Sequence, residues 1–152
     1  MPAAHAFLQT MEDVEKAAGG MTVDQLWRMP GGAPSVGFHL VHLAGSTDRL
    51  VTYARGERLS PEQRAALAAE QAPQQLPASV LIGQLRTTTA AVLTHLREVP
   101  EGSLYEPRTV GRAALPTTTI GLLFHAAEHS QRHAGQVVTT AKIVRGLERG
   151  SP

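Results

Sequence analysis

The chain contains no cysteine. That absence removes disulfides, thiolate metal sites and cysteine nucleophiles together. Any metal ion must therefore be held by histidine, carboxylate or water. It also fits a cytoplasmic location, which is the default expectation. Aromatic residues are scarce, with three Phe, two Tyr and one Trp, too few for a base-stacking surface. Neither sign of charge dominates: 14 Lys+Arg stand against 13 Asp+Glu, net +1. There is thus no electrostatic case for nucleic acid or an anionic membrane as partner. No apolar run reaches the roughly 18–20 residues of a membrane span. Glu12, Asp13 and Glu15 arrive too early for the basic-then-apolar plan of a signal peptide.

At 152 residues the chain is read as one domain, residues 1–152, long enough to bury a core. Helical periodicity runs through most of it. Residues 3–18 carry Phe7, Leu8, Met11 and Val14 at 3–4 spacing and end at Gly19-Gly20. Thr22 to Gln25 fits a capping box opening a short turn to Trp27. After the loop Pro30 to Pro34, Ser35 caps a helix to about Ala54, stopped by Gly56. Ser60-Pro61-Glu62-Gln63 opens a short, Ala-rich helix that ends before Pro73. Residues 78–98 form the third long helix, and 119–146 the last, capped from Thr117–Thr119. Pro100 to Pro116 is expected to be a long irregular connection, with no strand pattern anywhere. The expected fold class is all-α, a four-helix bundle with short extra helical turns. The last helix has apolar residues on two sides of its wheel, which predicts a central position or a homodimer interface.

Three histidines stand four residues apart in that helix: His125, His129 and His133. Residues at i and i+4 are neighbours on one helix face, about 5–6 Å apart at Cβ. Two imidazoles so placed can direct nitrogens at one metal ion. No Glu follows the first His of either pair, so the helical metalloprotease motif is excluded. A single His on an apolar face is ordinarily a hydrogen-bonded core residue; three in register are harder to explain that way, because each buried imidazole needs partners for both nitrogens. A further ligand has two candidates, His39 and His42. By about 100° per residue, His39 lies about 60° from the centre of its helix's apolar face and His42 about 120° away. Burial slightly favours His39, while a rim position suits a site that admits substrate.

Two motifs carry a resemblance to a known family. Ser35-Val36-Gly37 is followed by His42-Leu43-Ala44, and the last helix reads His125, His129, His133, Gly135, Gln136. In both motifs, and in the order and length of its helices, the chain resembles the DinB superfamily of DinB/YfiT-like metalloenzymes. The resemblance implies a DinB/YfiT-like bundle with metal ligands His42, His129 and His133. It makes His125 a residue that supports the ligands or lines the pocket, and puts His39 where relatives are usually apolar. Ala134 stands where many relatives have Arg before the Gly-Gln.

Three neutral histidines on Zn²⁺, Ni²⁺ or a similar divalent ion leave a position open for water or substrate. Two chemistries follow: hydrolysis by a metal-activated water, or activation of a thiol. The resemblance favours the thiol, with bacillithiol, mycothiol and glutathione as candidate cofactors and a small-molecule electrophile as substrate. A non-catalytic metal-binding role in a stress response is the third reading. No catalytic side chain is assigned. Candidate helpers are Asp48, Glu128, Tyr53, Ser46 and Gln136, with Gln136 and His125 the residues expected to touch cofactor or substrate. Asp48 either orients a ligand histidine or pairs with Arg49 or Arg55 on the surface. The helical angle points Glu128 away from the ladder, and the connection 100–116 is expected to cover the pocket.

Overall fold

The computed structural model describes residues 2–150. Four long helices make a closed ring of neighbours: α1 (Pro2–Ala18), α3 (Val36–Ala54), α5 (Ala78–Glu98) and α6 (Thr119–Arg149). α6 packs on α1 and α3, and α5 packs on the same two from the other side. Two short helices, α2 (Val23–Trp27) and α4 (Pro61–Ala69), lie between them. The all-α bundle expected from the periodicity is therefore the fold, with one addition. Residues expected to be irregular form an antiparallel hairpin, β1 (Pro107–Val110) with β2 (Leu115–Thr118).

The caps read from the sequence are all made. Ser35 Oγ accepts from Phe38 N, and Thr22 and Ser60 form reciprocal capping boxes with Gln25 and Gln63. The hairpin escaped because its strands are four residues each, with no fully buried residue, and carry Pro107 and Pro116. A two-residue alternation cannot register in so short a run. Its tip holds Gly111 and Ala114 at positive φ, and Thr119 and Ile120 N–H groups donate to Glu106 and Leu104 carbonyls where it joins α6.

The core falls into two apolar clusters stacked along the bundle. One contains Val14, Leu26, Leu40, Leu43, Leu81, Leu85 and Val137; the other contains Phe7, Leu50, Val92, Leu96, Leu122 and Leu123. On α3 the division falls between Leu43 and Leu50, and on α6 between Ala127 and Ala134. Buried Thr10, Thr47 and Ser130 occupy that level, with Thr10 Oγ1 bonded to Ser130 Oγ at 3.3 Å. His129 and His133 fall in this interval on α6, and His39 and His42 come just before it on α3. Both apolar stripes of α6 are covered within the chain, Leu122, Ala126, Val137 on one and Leu123, Ala127, Ala134, Ala141 on the other. Among the described residues no helix is long and apolar enough to cross a membrane.

Candidate metal centre

α3 and α6 run past each other so that His39 meets His133 and His42 meets His129. His42, His129 and His133 each offer a ring nitrogen, and these lie within 4.8 Å of one another. His42 Nε2 and His129 Nε2 are 3.0 Å apart. Two nitrogens bound to one tetrahedral zinc at about 2.05 Å stand about 3.3 Å apart. The donor set and its spacing therefore fit a divalent ion with small side-chain adjustments. Of the two histidines that α3 offers, His42 joins the triad, while His39 lies behind it and is 2% exposed.

The imidazoles of His39, His129 and His133 are held neutral. Burial, then the neighbouring ring of His42, pushes His39 down to about 4. Burial, then His42 and Arg132, brings His129 to about 4, and burial with three neighbouring histidines brings His133 to about 3. Neutral rings keep a lone pair free, which is what a metal ligand requires.

Each ring is oriented from outside. His42 Nδ1 donates to Glu70 Oε2 at 2.8 Å, which leaves Nε2 as the bare nitrogen aimed at His129. Phe38 stacks on the same ring, 5.5 Å between centroids and 12° from parallel. Glu70 is buried and also accepts from Arg49 at 2.5 Å. Burial works to raise its carboxyl, but the hydrogen bonds and charges of His42 and Arg49 outweigh that and hold it below the usual range. Nδ1 of His133 and Nδ1 of His39 are 3.0 Å apart, so one donates to the other. When His133 is the donor, its Nε2 is free for a metal and His39 does for it what Glu70 does for His42. Arg132 donates to His129 Nδ1 at 2.7 Å from an exposed position, so the neutral His129 ring carries its proton on Nε2 and donates to His42 Nε2. Ligating a metal through Nε2 requires that proton to move to Nδ1 and Arg132 to let go.

Glu70 was not among the expected helpers. It caps the C-terminus of α4, a helix with no buried residue of its own, and nothing local marks it. The one available signal is a carboxylate at a helix C-terminus, where the macrodipole disfavours it. Asp48 does not orient a histidine and pairs with neither Arg49 nor Arg55; it is exposed and accepts from Gln63 at 2.6 Å. Six residues place it on the wrong side of α3, whereas Arg49 is seven beyond His42 and shares its face. Glu128, expected to point away from the ladder, accepts from His125 at 3.0 Å and lies 3.6 Å from Arg132. The i+3 and i+4 relations override the single-residue angle. His125 is exposed, bonded to Glu128 and outside the triad, though its ring lies 5.6 Å from that of His129, and His125, Glu128 and His129 form a second, mostly exposed group of metal-binding spacing. Gln136 is exposed one turn beyond His133. Ser46 turns back to its own helix, its Oγ 3.4 Å from Leu43 O. Tyr53 lines a cavity further along α3, whose other walls are the α3–α4 segment and the hairpin.

The glycines of the α3 motif also have reasons. A Cβ on Gly37 would come within 2.7 Å of the Trp27 ring, and one on Gly45 within 2.5 Å of Glu70 Oε1. Small residues thus let the indole and the buried carboxylate approach the helix that carries His42.

Comparison with known proteins agrees with this fold. Two solved structures share the fold. A conserved protein from Enterococcus faecalis superposes with a TM-score of 0.75 at 20% identity, covering 95% of each chain. A DinB-like protein from Bacillus cereus ATCC 10987 superposes with a TM-score of 0.67 at 17% identity, covering 90% of this chain and 89% of that one. No curated protein matches. The model of the DinB superfamily matches residues 6–137, so a bundle with a histidine triad between its second and last long helices is here a member of the DinB superfamily.

Proposed function

We propose that this chain is a divalent-metal transferase that activates a low-molecular-weight thiol, with His42, His129 and His133 as the metal ligands. The observation that carries the reading is a three-membered cluster of imidazoles, His42 backed by Glu70 and His133 by His39. Three protein ligands on a tetrahedral ion leave one position for an outside molecule, the mark of a reactive rather than a structural site. When bound, zinc or nickel supplies an electrophilic centre that raises the anionic fraction of a thiol whose free pKa is near 8.5.

The chain's own residues supply the setting. Glu70 fixes the His42 tautomer, His39 would do so for His133 when it accepts from that ring, and Phe38 holds the His42 plane. Burial keeps the rings of His39, His129 and His133 unprotonated at neutral pH. With no cysteine in the chain, a sulfur nucleophile must come from solution. Bacillithiol, mycothiol and glutathione are the candidates, and a cytoplasmic setting would keep them reduced. His125 on the ladder and Gln136 one turn beyond it are both exposed, which supports a role for them in meeting an incoming molecule. A homodimer is proposed as the assembly.

The test is turnover of each thiol with a model electrophile by metal-loaded protein and by His129→Ala. Activity should vanish with chelator, return with added metal and be absent in the variant. Equal rates in both proteins would leave the metal without a catalytic role. Hydrolysis of ester substrates without thiol would instead favour an activated water.

A further inference from the structure

A cavity of about 840 Å³ lies beside the histidine cluster. Its walls carry Arg49, Arg58, Arg64, Arg108 and Arg112, with Glu57 as the acidic wall residue. Five of the chain's 14 lysines and arginines thus converge on one cavity in a protein of net charge +1. They come from three separate segments: α3 with the loop after it, α4, and the hairpin. Like charges brought together from distant parts of a chain repel, so the arrangement costs free energy unless a counter-charge occupies it.

The guanidiniums are only partly offset. Glu70 pairs with Arg49, Glu106 pairs with Arg108, and Glu57 lies on the wall. Against five arginines these three carboxylates leave a surplus of two positive charges. Glu62, fully exposed on the first turn of α4, feels Arg64, and Asp48 is engaged by Gln63. Backbone carbonyls anchor some of the cations: Arg108 donates to Ala54 and Pro107 carbonyls at 2.9 Å, and Arg64 donates to Leu59 O. Arg58 and Arg112 make no hydrogen bond or ion pair among the described residues, so their donors are free for a ligand.

Position connects the cavity to the metal centre. His42, Arg49 and Tyr53 lie on one stripe of α3, and seven residues correspond to about 10 Å of helix rise. Arg49 also touches both places, lining the cavity while bonding Glu70, which holds His42. The volume lies within the roughly 300–1,000 Å³ of small-molecule sites and far exceeds one inorganic anion.

We propose that this cavity binds a small organic dianion, a phosphomonoester or a dicarboxylate, through its arginines. Bidentate guanidinium contacts suit either group. That the dianion belongs to the molecule reacting at the histidines rests on the metal-centre reading; its binding does not.

The probes are phenyl phosphate and phthalate, with benzoate as a monoanion of similar body, titrated calorimetrically into the metal-free chain at constant ionic strength. At least one dianion should bind one-to-one and at least about tenfold more tightly than benzoate. Saturation by phenyl phosphate alone assigns a phosphomonoester, and by phthalate alone a dicarboxylate. The Arg58→Gln/Arg112→Gln chain, altered only at exposed and unpaired side chains, should lose at least about tenfold in affinity. Dianions that bind no better than benzoate, or a double variant that binds as wild type does, would overturn the proposal. His129→Ala removes a proposed metal ligand but no cavity residue. Retained binding there supports the cavity independently of the metal, and lost binding overturns its assignment to this place.

Discussion

At the scale of single residues, the candidate site depends on side chains that touch no ligand themselves. Glu70 is the clearest case, buried against His42 and Arg49. Removing such an orienting carboxylate commonly costs 10–100-fold in metal affinity, so Glu70→Gln should weaken metal binding by about that factor in a competition titration with a chromogenic chelator. Gly45→Ala, whose methyl would displace the same carboxylate, should fall in the same direction. Unchanged affinity in both would remove Glu70 from the site. The ligand choice has its own check: His42→Ala should abolish stoichiometric metal, and normal binding by His42→Ala with loss in His39→Ala would reverse the assignment. The histidines also set a pH dependence. His39 and His129 titrate at about 4 and His133 at about 3 in the fold, against about 6.5 unfolded. Between these values the unfolded chain binds more protons, so stability rises with pH. The contribution is fully present above about 6.5 and is lost as pH falls toward the folded values. Glu70, also lowered, acts in the same direction further down. The metal-free chain should lose at least about 1 kcal/mol between pH 7.5 and 5 in urea unfolding. A flat profile would mean the rings are not buried as described.

Among elements, α3 carries most of what is particular to this chain. Ser35 caps it, Gly37 admits Trp27, His42 and His39 face α6, and Arg49 faces the cavity. Gly37→Ala should therefore cost about 1–3 kcal/mol in thermal or urea unfolding, because its methyl meets indole atoms on a well-packed surface. A cost near zero would show that Trp27 moves freely. α4 is the opposite kind of element. It contributes no side chain to the core, and Glu70 at its end and Gln63 bonded to Asp48 and Thr52 tie it to α3. The hairpin likewise packs little and instead closes one wall of the arginine cavity.

For the molecule as a whole, the ring of four helices accounts for both apolar stripes of α6, because α1 and α3 cover them. The proposed homodimer must then use side chains the bundle leaves out. Ile120 and Phe124 are one turn apart on α6, and the Ile120 N–H donates to Leu104 O, next to Tyr105. Phe124 is 70% exposed and Tyr105 76%. A dimer through this patch should bury roughly 1,200–2,000 Å² in total. Sedimentation velocity at micromolar concentration should show a dimer for the wild type and a monomer for Phe124→Ser. A monomeric wild type would refute the assembly.

What the sequence determined by itself was local or periodic. Helix limits followed from Ser35, Ser60, Gly19 and Gly56, which act within one turn of where they stand. The His125, His129, His133 ladder followed from the pitch of a helix. The all-α class followed from a repeat sustained over four long segments. Tertiary structure alone decided what depends on distance along the chain. It set His42 in the cluster, the histidine that the family resemblance implied and that helical angle had left open against His39. It delivered Glu70 to His42 across 28 residues, a contact with no local pattern, and it gathered arginines from three segments around one cavity. Periodicity records which face of an element is buried. Which polar group on another element meets that face is settled only when the helices pack.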